Sequence, residues 1–141
     1  MSQDTTKGIH LRVQIDGIPD IGFAHVTLPV ASAEVIEVRD GADPSRTKKM
    51  PGVVKFTNIV MKRGVTNSTH LFAWWTNIAN GTSDPRDVSV IALDENAVPI
   101  KHWKFSQVWP ARYIASVDEE GAKLTLTETI ECAVTSFETV L

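Results

Sequence analysis

The sequence predicts a mainly β protein, an antiparallel β-barrel or sandwich with one packed α-helix and a long extended loop. Apolar and polar residues alternate with the two-residue period of half-buried strands in roughly eight short runs. One run changes instead to the spacing of an amphipathic helix. A third observation is a stretch rich in Pro, Gly and charge, whose composition suits neither a strand nor a helix.

Size and composition predict one folded domain and exclude several classes of protein. The 141 residues are 43% hydrophobic and 22% charged, and the formal net charge of −3 gives no attraction to nucleic acid or anionic membranes. A single cysteine, Cys132, excludes an intramolecular disulfide. We find no signal peptide and no run long enough to span a membrane. We therefore expect one domain over residues 1–141, with a polar leader at 1–8.

The amino-terminal part is expected to form strands. In the first of them Ile9, Val13 and Ile15 alternate with polar residues, and Asp16-Gly17 marks a turn. The same reasoning, with a less regular phase in the third run, places strands at 9–15, 23–30, 34–39 and 53–62.

The stretch rich in Pro, Gly and charge covers residues 41–52 and is expected to be a long exposed loop. It holds Pro44, Pro51 and a basic cluster beside Asp43, which consists of Arg46, Lys48 and Lys49. Long loops in compact domains are commonly functional, so this is the first place to look for an interaction. An acidic protein partner and simple solvation remain equal alternatives for the basic cluster.

A helix of about three turns is expected near residues 67–81. Either Asn67 or Ser68 can cap it, and Gly81 ends it. Its apolar residues include Leu71, Trp75 and Ile78, at i, i+4 and i+7. Trp74 and Trp75 point about 100° apart on a helix, so only one can face the core squarely. The other is expected to cover an edge or to meet a partner.

Four more strands are expected downstream, at residues 87–93, 100–105, 108–115 and 123–134, with turns at 94–96, 106–107 and 118–121. In the last strand one face is apolar and the other carries threonines. The apolar face consists of Leu124, Leu126, Ile130 and Cys132, and the threonines are Thr125, Thr127 and Thr129. Glu128 is the one charged residue on the apolar side.

The sequence offers no catalytic or metal motif. Phosphate loops, nucleophile elbows and H-E-x-x-H are absent, and the histidines His10, His25, His70 and His102 lack the spacing of metal ligands. Cys132 is expected to pack in the core as a small hydrophobe. Adjacent carboxylates fall in predicted turns, where water keeps them ionised. We expect neither enzymatic activity nor a cofactor.

Several short motifs, in this order and spacing, resemble one family. They are Ile15-Asp16-Gly17-Ile18, Glu34 to Gly41 followed by Pro44, Met50-Pro51-Gly52, Lys55-Phe56, Asn58-Ile59, Lys62-Arg63-Gly64-Val65-Thr66, Leu71 to Ile78, Arg86-Asp87-Val88, Leu93-Asp94-Glu95, Trp103, and Trp109 to Tyr113. The chain resembles the tail tube proteins of contractile-tailed phages and the inner-tube proteins of extracellular contractile injection systems.

The resemblance implies a structural subunit that forms hexameric rings stacked into an inner tube, a conduit for DNA or effector cargo. It implies a sheath around the tube, baseplate or spike and tail-terminator proteins at its ends, and no membrane insertion. The particle would be assembled in the bacterial cytoplasm and released by lysis. Ring stacking or subunit contact is expected at Arg39, Asp40, Asp43, Arg46, Lys48, Lys49, Lys62, Arg63 and Trp74.

One alternative belongs to a different class. A monomeric β-barrel could bind a small apolar ligand in its interior, with the tryptophans lining the pocket. The tube subunit must associate with itself, whereas this binding protein need not.

Overall fold

The structure, a computed structural model, describes residues 8–66 and 68–141. Residues 1–7 of the expected leader and Asn67, one of the two expected helix caps, lie outside the described residues. Within them the chain forms ten strands and one helix. The elements are β1 (His10–Ile15), β2 (Ile18–Ile21), β3 (His25–Thr27), β4 (Ala31–Asp40), β5 (Asp43–Phe56), β6 (Ile59–Gly64), α1 (His70–Ala79), β7 (Arg86–Leu93), β8 (Pro99–Glu120), β9 (Lys123–Ala133) and β10 (Ser136–Thr139). The mainly β class with one helix is confirmed.

All strand pairs are antiparallel, and β8 connects the two halves of the main sheet. The order is β2-β1-β7-β8-β9-β6-β3, with β10 also paired to β8. The first half of β8 pairs with β7 and β10, and the second half pairs with β9. Within the described residues β2 and β3 end this order without pairing to each other, so the barrel is not closed. The architecture is therefore the sandwich-like form of the expected fold.

The core lies between the two halves of the sheet and under the helix. Strands β1 and β7 contribute a cross-strand pair, Val13 opposite Val90. The same core contains Phe105 of β8, Ile59 and Met61 of β6, and Ile130 and Cys132 of β9, and all five are fully buried. Burying each large apolar side chain contributes roughly 1.5–3 kcal/mol relative to its exposure. The expectation that Cys132 packs in the core is confirmed.

Helix α1 packs its inner face on this core. Its amino terminus follows Thr69, and the Ser68 hydroxyl accepts a long 3.4 Å hydrogen bond from the His70 N–H. At its other end Gly81 has φ +79°, the left-handed conformation that favours glycine. Leu71 and Trp74 are the buried residues of the helix. The predicted helix and its glycine stop are therefore present.

The expected loop at residues 41–52 is a strand for most of its length, which corrects the prediction. Residues 43–52 belong to β5, which pairs with β4 from Ala31 opposite Phe56 to Asp40 opposite Asp43. Pro51 lacks an N–H, but within the described residues β4 is the single strand that pairs with β5, so one edge of β5 needs no donor. Gly52 lies at a register shift where an added Cβ would meet the Ile36 Cδ1 at 3.0 Å. The exposure expected of this segment is observed.

Two other strand boundaries differ from the expectation. The predicted strand at 53–62 is split at Thr57 and Asn58, because its first part belongs to the β4–β5 hairpin and its second to β6. The expected turn at residues 106–107 is not a chain reversal. Gln107 takes φ +56° and β8 continues through it, changing its neighbour on one edge from β10 to β9.

The β8–β9 hairpin extends beyond the core. Asp118 and Glu119, expected in a turn, lie in β8, and the turn is at Gly121. Leu124 and Leu126 share a strand face with Ile130, as expected, but they are 66% and 52% exposed. The core ends near Glu128, so no other described part of the chain covers these leucines. No helix in the described part of the chain is long and apolar enough to cross a membrane.

Candidate functional site

The β4–β5 hairpin is a surface that the described residues leave uncovered. Ala31 to Arg39 are all exposed, and the hairpin pairs with no other strand in the described residues. Its exposed large hydrophobic residues are Val35, Ile36, Val38, Met50, Val53 and Val54. A two-stranded hairpin is marginally stable by itself in water, and contiguous exposed apolar surface marks a site of interaction. The hairpin is therefore built to be covered by something else.

The register gives the two faces of this hairpin different chemistry. On one face Ile36 lies opposite Met50 and Val38 lies opposite Lys48. On the other face Val35 lies opposite Pro51 and Glu37 opposite Lys49. Opposite charges in a directly facing pair stabilise a hairpin modestly. Lys49 consequently has a carboxylate across the strands, whereas Lys48 lies beside apolar residues.

The carboxylates near the hairpin tip shape the turn. Asp40 Oδ1 accepts the Ala42 N–H at 3.0 Å, and Asp43 Oδ1 accepts the Ser45 N–H at 3.2 Å. Arg46 Nε lies 3.8 Å from Asp43 Oδ2, and the Arg46 side chain is 81% exposed. Such short-range side-chain to backbone bonds are typical of Asp in turns. The exposed cations therefore remain available to an external partner.

The β8–β9 hairpin is a second uncovered surface with two unlike faces. Val117 lies opposite Leu126 and Glu119 opposite Leu124, on the face that continues the buried side of the sheet. Val117, Leu124 and Leu126 are all exposed. The other face is polar: Asp118 lies 4.0 Å from Lys62 Nζ and opposite Thr125.

A buried polar cluster lies at the base of the β8–β9 hairpin. Arg63 Nε donates to Glu128 Oε1 at 2.5 Å, and the Tyr113 hydroxyl donates to Glu128 Oε2 at 2.5 Å. The guanidinium lies 5.8 Å from the centre of the Phe23 ring, and Phe72 contacts Tyr113 edge to face. Burial, and then the hydrogen bond to Glu128, raise the pKa of Tyr113 to about 12. This cluster fixes β6, β8 and β9 against one another.

A second polar cluster follows the helix. Arg86 Nη2 donates to Asp84 Oδ2 at 2.9 Å, and Asn77 Nδ2 donates to the same oxygen at 3.0 Å. These two hydrogen bonds, Arg86 first, hold the pKa of Asp84 below its ordinary value. The Arg86 guanidinium lies 5.3 Å from the centre of the Trp74 ring, and the Trp74 Nε1–H donates to the Asp84 carbonyl. The cluster locks the segment after α1 onto β7.

The structure offers little to a small ligand or a metal ion. A surface groove of about 300 Å³ is lined by Ile78, residues 81–85 and Trp109. It lies outside the sandwich, whose interior is filled by the core, and the other tryptophans do not line it. Within residues 8–66 and 68–141 no group of His, Cys, Asp or Glu could hold a metal ion. Of the four tryptophans, Trp109 alone lines this groove, whereas the alternative of a ligand-binding barrel expected the tryptophans to line an interior pocket together.

The sequence matches the family of the T4-like virus tail tube protein gp19 over residues 7–138. The chain belongs to this family. The tail tube protein is accordingly a structural subunit of a tube, and its uncovered hairpins are surfaces of the kind that subunits bury. A comparison with curated proteins finds no match.

Solved structures share the fold of this tail tube protein. A chain in the structure of the anti-feeding prophage baseplate, 6-fold symmetrised, is 21% identical, with 99% of this chain and 97% of that chain covered and a TM-score of 0.80. A chain in an extracellular contractile injection system, the PVC sheath/tube terminator in its extended state, is 24% identical, with 94% of each covered and a TM-score of 0.81. Hcp1 from Flavobacterium johnsoniae is 21% identical, with 93% and 94% covered and a TM-score of 0.63.

The sequence-predicted contact residues of the tail tube protein do not all lie on one surface. Six of them lie together on the β4–β5 hairpin, and they are Arg39, Asp40, Asp43, Arg46, Lys48 and Lys49. Lys62 lies apart from them on β6, partly exposed beside Asp118. Their role in contacts between subunits stays a prediction.

Two of the predicted contact residues are wrong for this surface. Arg63 is only 1% exposed because it is paired with Glu128 inside the sandwich, and Trp74 is fully buried because it is the tryptophan that faces the core. Trp75, its neighbour, is the partly exposed one.

The sequence reasoning also missed the apolar part of the two hairpins. Exposed residues such as Val38, Met50 and Leu126 were absent from the predicted contact set. One signal could have found them: apolar residues in strands that also carry many charges lack a layer to cover them.

Proposed function

We propose that this tail tube protein assembles into hexameric rings that stack into the inner tube of a contractile phage tail or a contractile injection system. The observation that carries the proposal is the β4–β5 hairpin, whose two faces are exposed and partly apolar. A second copy of the chain can cover such a surface, because in a symmetric ring every subunit buries the same patch against its neighbour. The 6-fold symmetrised assembly that contains a similar chain supports the number of copies.

The tube serves as a conduit for DNA or effector cargo. A conduit wall must resist sticking to its cargo, so it needs a polar face. The face of β9 that carries Thr125, Thr127 and Thr129, beside Lys62 and Asp118, has this character. We propose that this face lines the lumen. No residue on it is required to catalyse a reaction.

The outer and end surfaces of the tube would meet other proteins. Similar chains occur in a baseplate and in a sheath/tube terminator. They support a sheath around the tube, a baseplate or spike at one end and a terminator at the other. The subunit would be a component of a virion tail or a released particle, assembled in the bacterial cytoplasm and freed by lysis.

Negative-stain electron microscopy of the concentrated protein tests the proposal. We expect rings or stacked tubes of uniform width. Replacing Arg46, Lys48 and Lys49 together by Ser should shorten or abolish the stacks while the far-ultraviolet circular dichroism stays unchanged, because the three side chains are exposed. Monomers at every concentration, with or without a preformed tube end as a seed, would contradict the proposal.

The matched control removes three cations from the body of the subunit. Replacing Arg12, Lys101 and Lys104 by Ser makes the same change in net charge on β1 and β8, away from the hairpin. We expect this variant to stack like the parent. Equal loss of stacking in both triple variants would mean that net charge, and not the hairpin, controls assembly.

A further inference from the structure

The two uncovered hairpins carry faces that match in chemistry and differ in charge. On the β4–β5 hairpin, one face holds Ile36, Val38 and Met50, with Lys48 directly opposite Val38 and with Glu34 beside Ile36 at the end away from the tip. Arg46, two residues nearer the tip along β5, adds a second exposed cation. This basic–apolar face has no covering layer among the described residues.

The β8–β9 hairpin shows the reverse charge. Its uncovered face holds Val117, Leu124 and Leu126, with Glu119 directly opposite Leu124. Asp118 points to the other face, where Lys62 lies 4.0 Å away. Glu119 is therefore the carboxylate that borders this acidic–apolar face.

We propose that the basic–apolar face of the β4–β5 hairpin of one copy covers the acidic–apolar face of the β8–β9 hairpin of a second copy, with Lys48 paired to Glu119. This inference rests on the proposed function, because it names the contact through which copies associate. Each face holds three apolar side chains and a charged residue directly opposite one of them, Lys48 opposite Val38 and Glu119 opposite Leu124, and these two charges have opposite signs.

Charge complementarity favours this pairing over two symmetric ones. If two basic–apolar faces met with Val38 against Val38, the two Lys48 side chains would face each other, and two acidic–apolar faces that met with Leu124 against Leu124 would bring the two Glu119 side chains together. Juxtaposed like charges at an interface cost several kcal/mol and exclude the wrong partner. The contact is consequently head to tail, the type that generates a closed ring or a continuing stack.

Charge reversal and restoration test the pairing. Sedimentation velocity of the parent, Lys48→Glu, Glu119→Lys and the double variant compares their self-association. We expect each single variant to associate more weakly by about tenfold or more, because like charges then face each other in a partly desolvated contact. In the double variant the charges are exchanged but still opposite, and association should return to within about threefold of the parent. An equimolar mixture of the two single variants should also associate, because both contacts between unlike copies join opposite charges.

Two matched variants test the assignment of faces. Lys49→Glu and Glu120→Lys make the same charge changes on neighbouring residues that point to the opposite faces of the two hairpins. Glu119→Lys should restore the association that Lys48→Glu loses, and Glu120→Lys should not. Lys49 points away from the proposed contact, so adding Glu119→Lys to Lys49→Glu should weaken association, because Lys48 then faces a lysine. Urea unfolding of every variant separates lost folding from lost association.

The outcomes distinguish this inference from the proposed function. The pairing is supported if Glu119→Lys restores the association of Lys48→Glu and Glu120→Lys does not. The pairing would be overturned if both single variants still formed rings or tubes like the parent, or if the double variant associated as weakly as the single variants. Either result would leave the proposed function as a tube subunit standing. A parent that never associates would overturn both.

Discussion

Replacing Arg63 with methionine is expected to lower the free energy of unfolding by about 3–5 kcal/mol, the usual cost of removing one partner from a buried ion pair. Arg63 and Glu128 are 1% and 5% exposed, and Arg63 Nε lies 2.5 Å from Glu128 Oε1. Without the guanidinium, the Glu128 carboxylate stays buried with the Tyr113 hydroxyl as its remaining hydrogen-bond donor. The loss is mainly the cost of that uncompensated charge.

Urea unfolding at neutral pH, on protein dilute enough to stay unassembled, measures this loss. With a slope of about 2 kcal/mol per molar urea for a domain of this size, the midpoint should fall by about 2 M. A fall of less than about 0.5 M, with an unchanged slope, would refute the reasoning, since the pair would then contribute no more than an exposed one.

The double variant Arg63→Met with Glu128→Gln supplies the control. Gln keeps an acceptor for the Tyr113 hydroxyl and carries no charge, so most of the lost stability should return. Nη1 and Nη2 of Arg63 have no hydrogen-bond partner among the described residues, so the parent pair is itself incompletely satisfied. We therefore expect the double variant to lie within about 1 kcal/mol of the parent.

Three further predictions follow from the titratable groups. Tyr113 is the single tyrosine of the chain, so its tyrosinate absorbance should appear near pH 12. Its contribution to the free energy of unfolding is full below pH 10.0 and is lost as the pH rises to about 12. This loss should disappear from the pH profile of Tyr113→Phe. Because the pKa of Asp84 is lowered in the folded protein, its carboxylate stabilises the fold above the ordinary pKa of 3.8, and this contribution is lost as the pH falls through the folded pKa. Arg86→Gln should raise the pKa of Asp84, which a carboxyl titration by nuclear magnetic resonance measures. Burial raises the pKa of the Cys132 thiol, so a thiol reagent should label it only after unfolding, and labelling of the folded protein would contradict its burial.

Much of the body of the fold was predictable because local patterns and tertiary contacts agree there. The alternation of apolar and polar residues predicted β1, the helical spacing of the apolar residues that follow Leu71 predicted α1, and Gly81 was correctly placed at the end of that helix. The buried position of Glu128 was visible as a charge on an apolar strand face. Its partner Arg63 could not be identified, because the two residues are brought together only by the pairing of β6 with β9.

The candidate site was harder to predict because its strands lack the burial that produces a clear period. The β4–β5 hairpin has two exposed faces, so charges and prolines occur where a covered strand would carry apolar residues. Composition therefore indicated a loop at residues 41–52. The choice between Trp74 and Trp75 also needed the structure, since residues 100° apart on a helix are equally plausible core residues until the direction of the core is known.

The pairing of β1 with β7 has a consequence for the chain as it is being synthesised. Val13 and Ile15 gain their cross-strand neighbours, Val90 and Val88, only after the helix and the whole β4–β5 hairpin have been translated. Until then the nascent amino-terminal strand keeps an unpaired edge with apolar side chains, which is a template for aggregation. Ribosomes that stall before β7 would therefore release fragments in which this edge stays unpaired, and such fragments are expected to form inclusions.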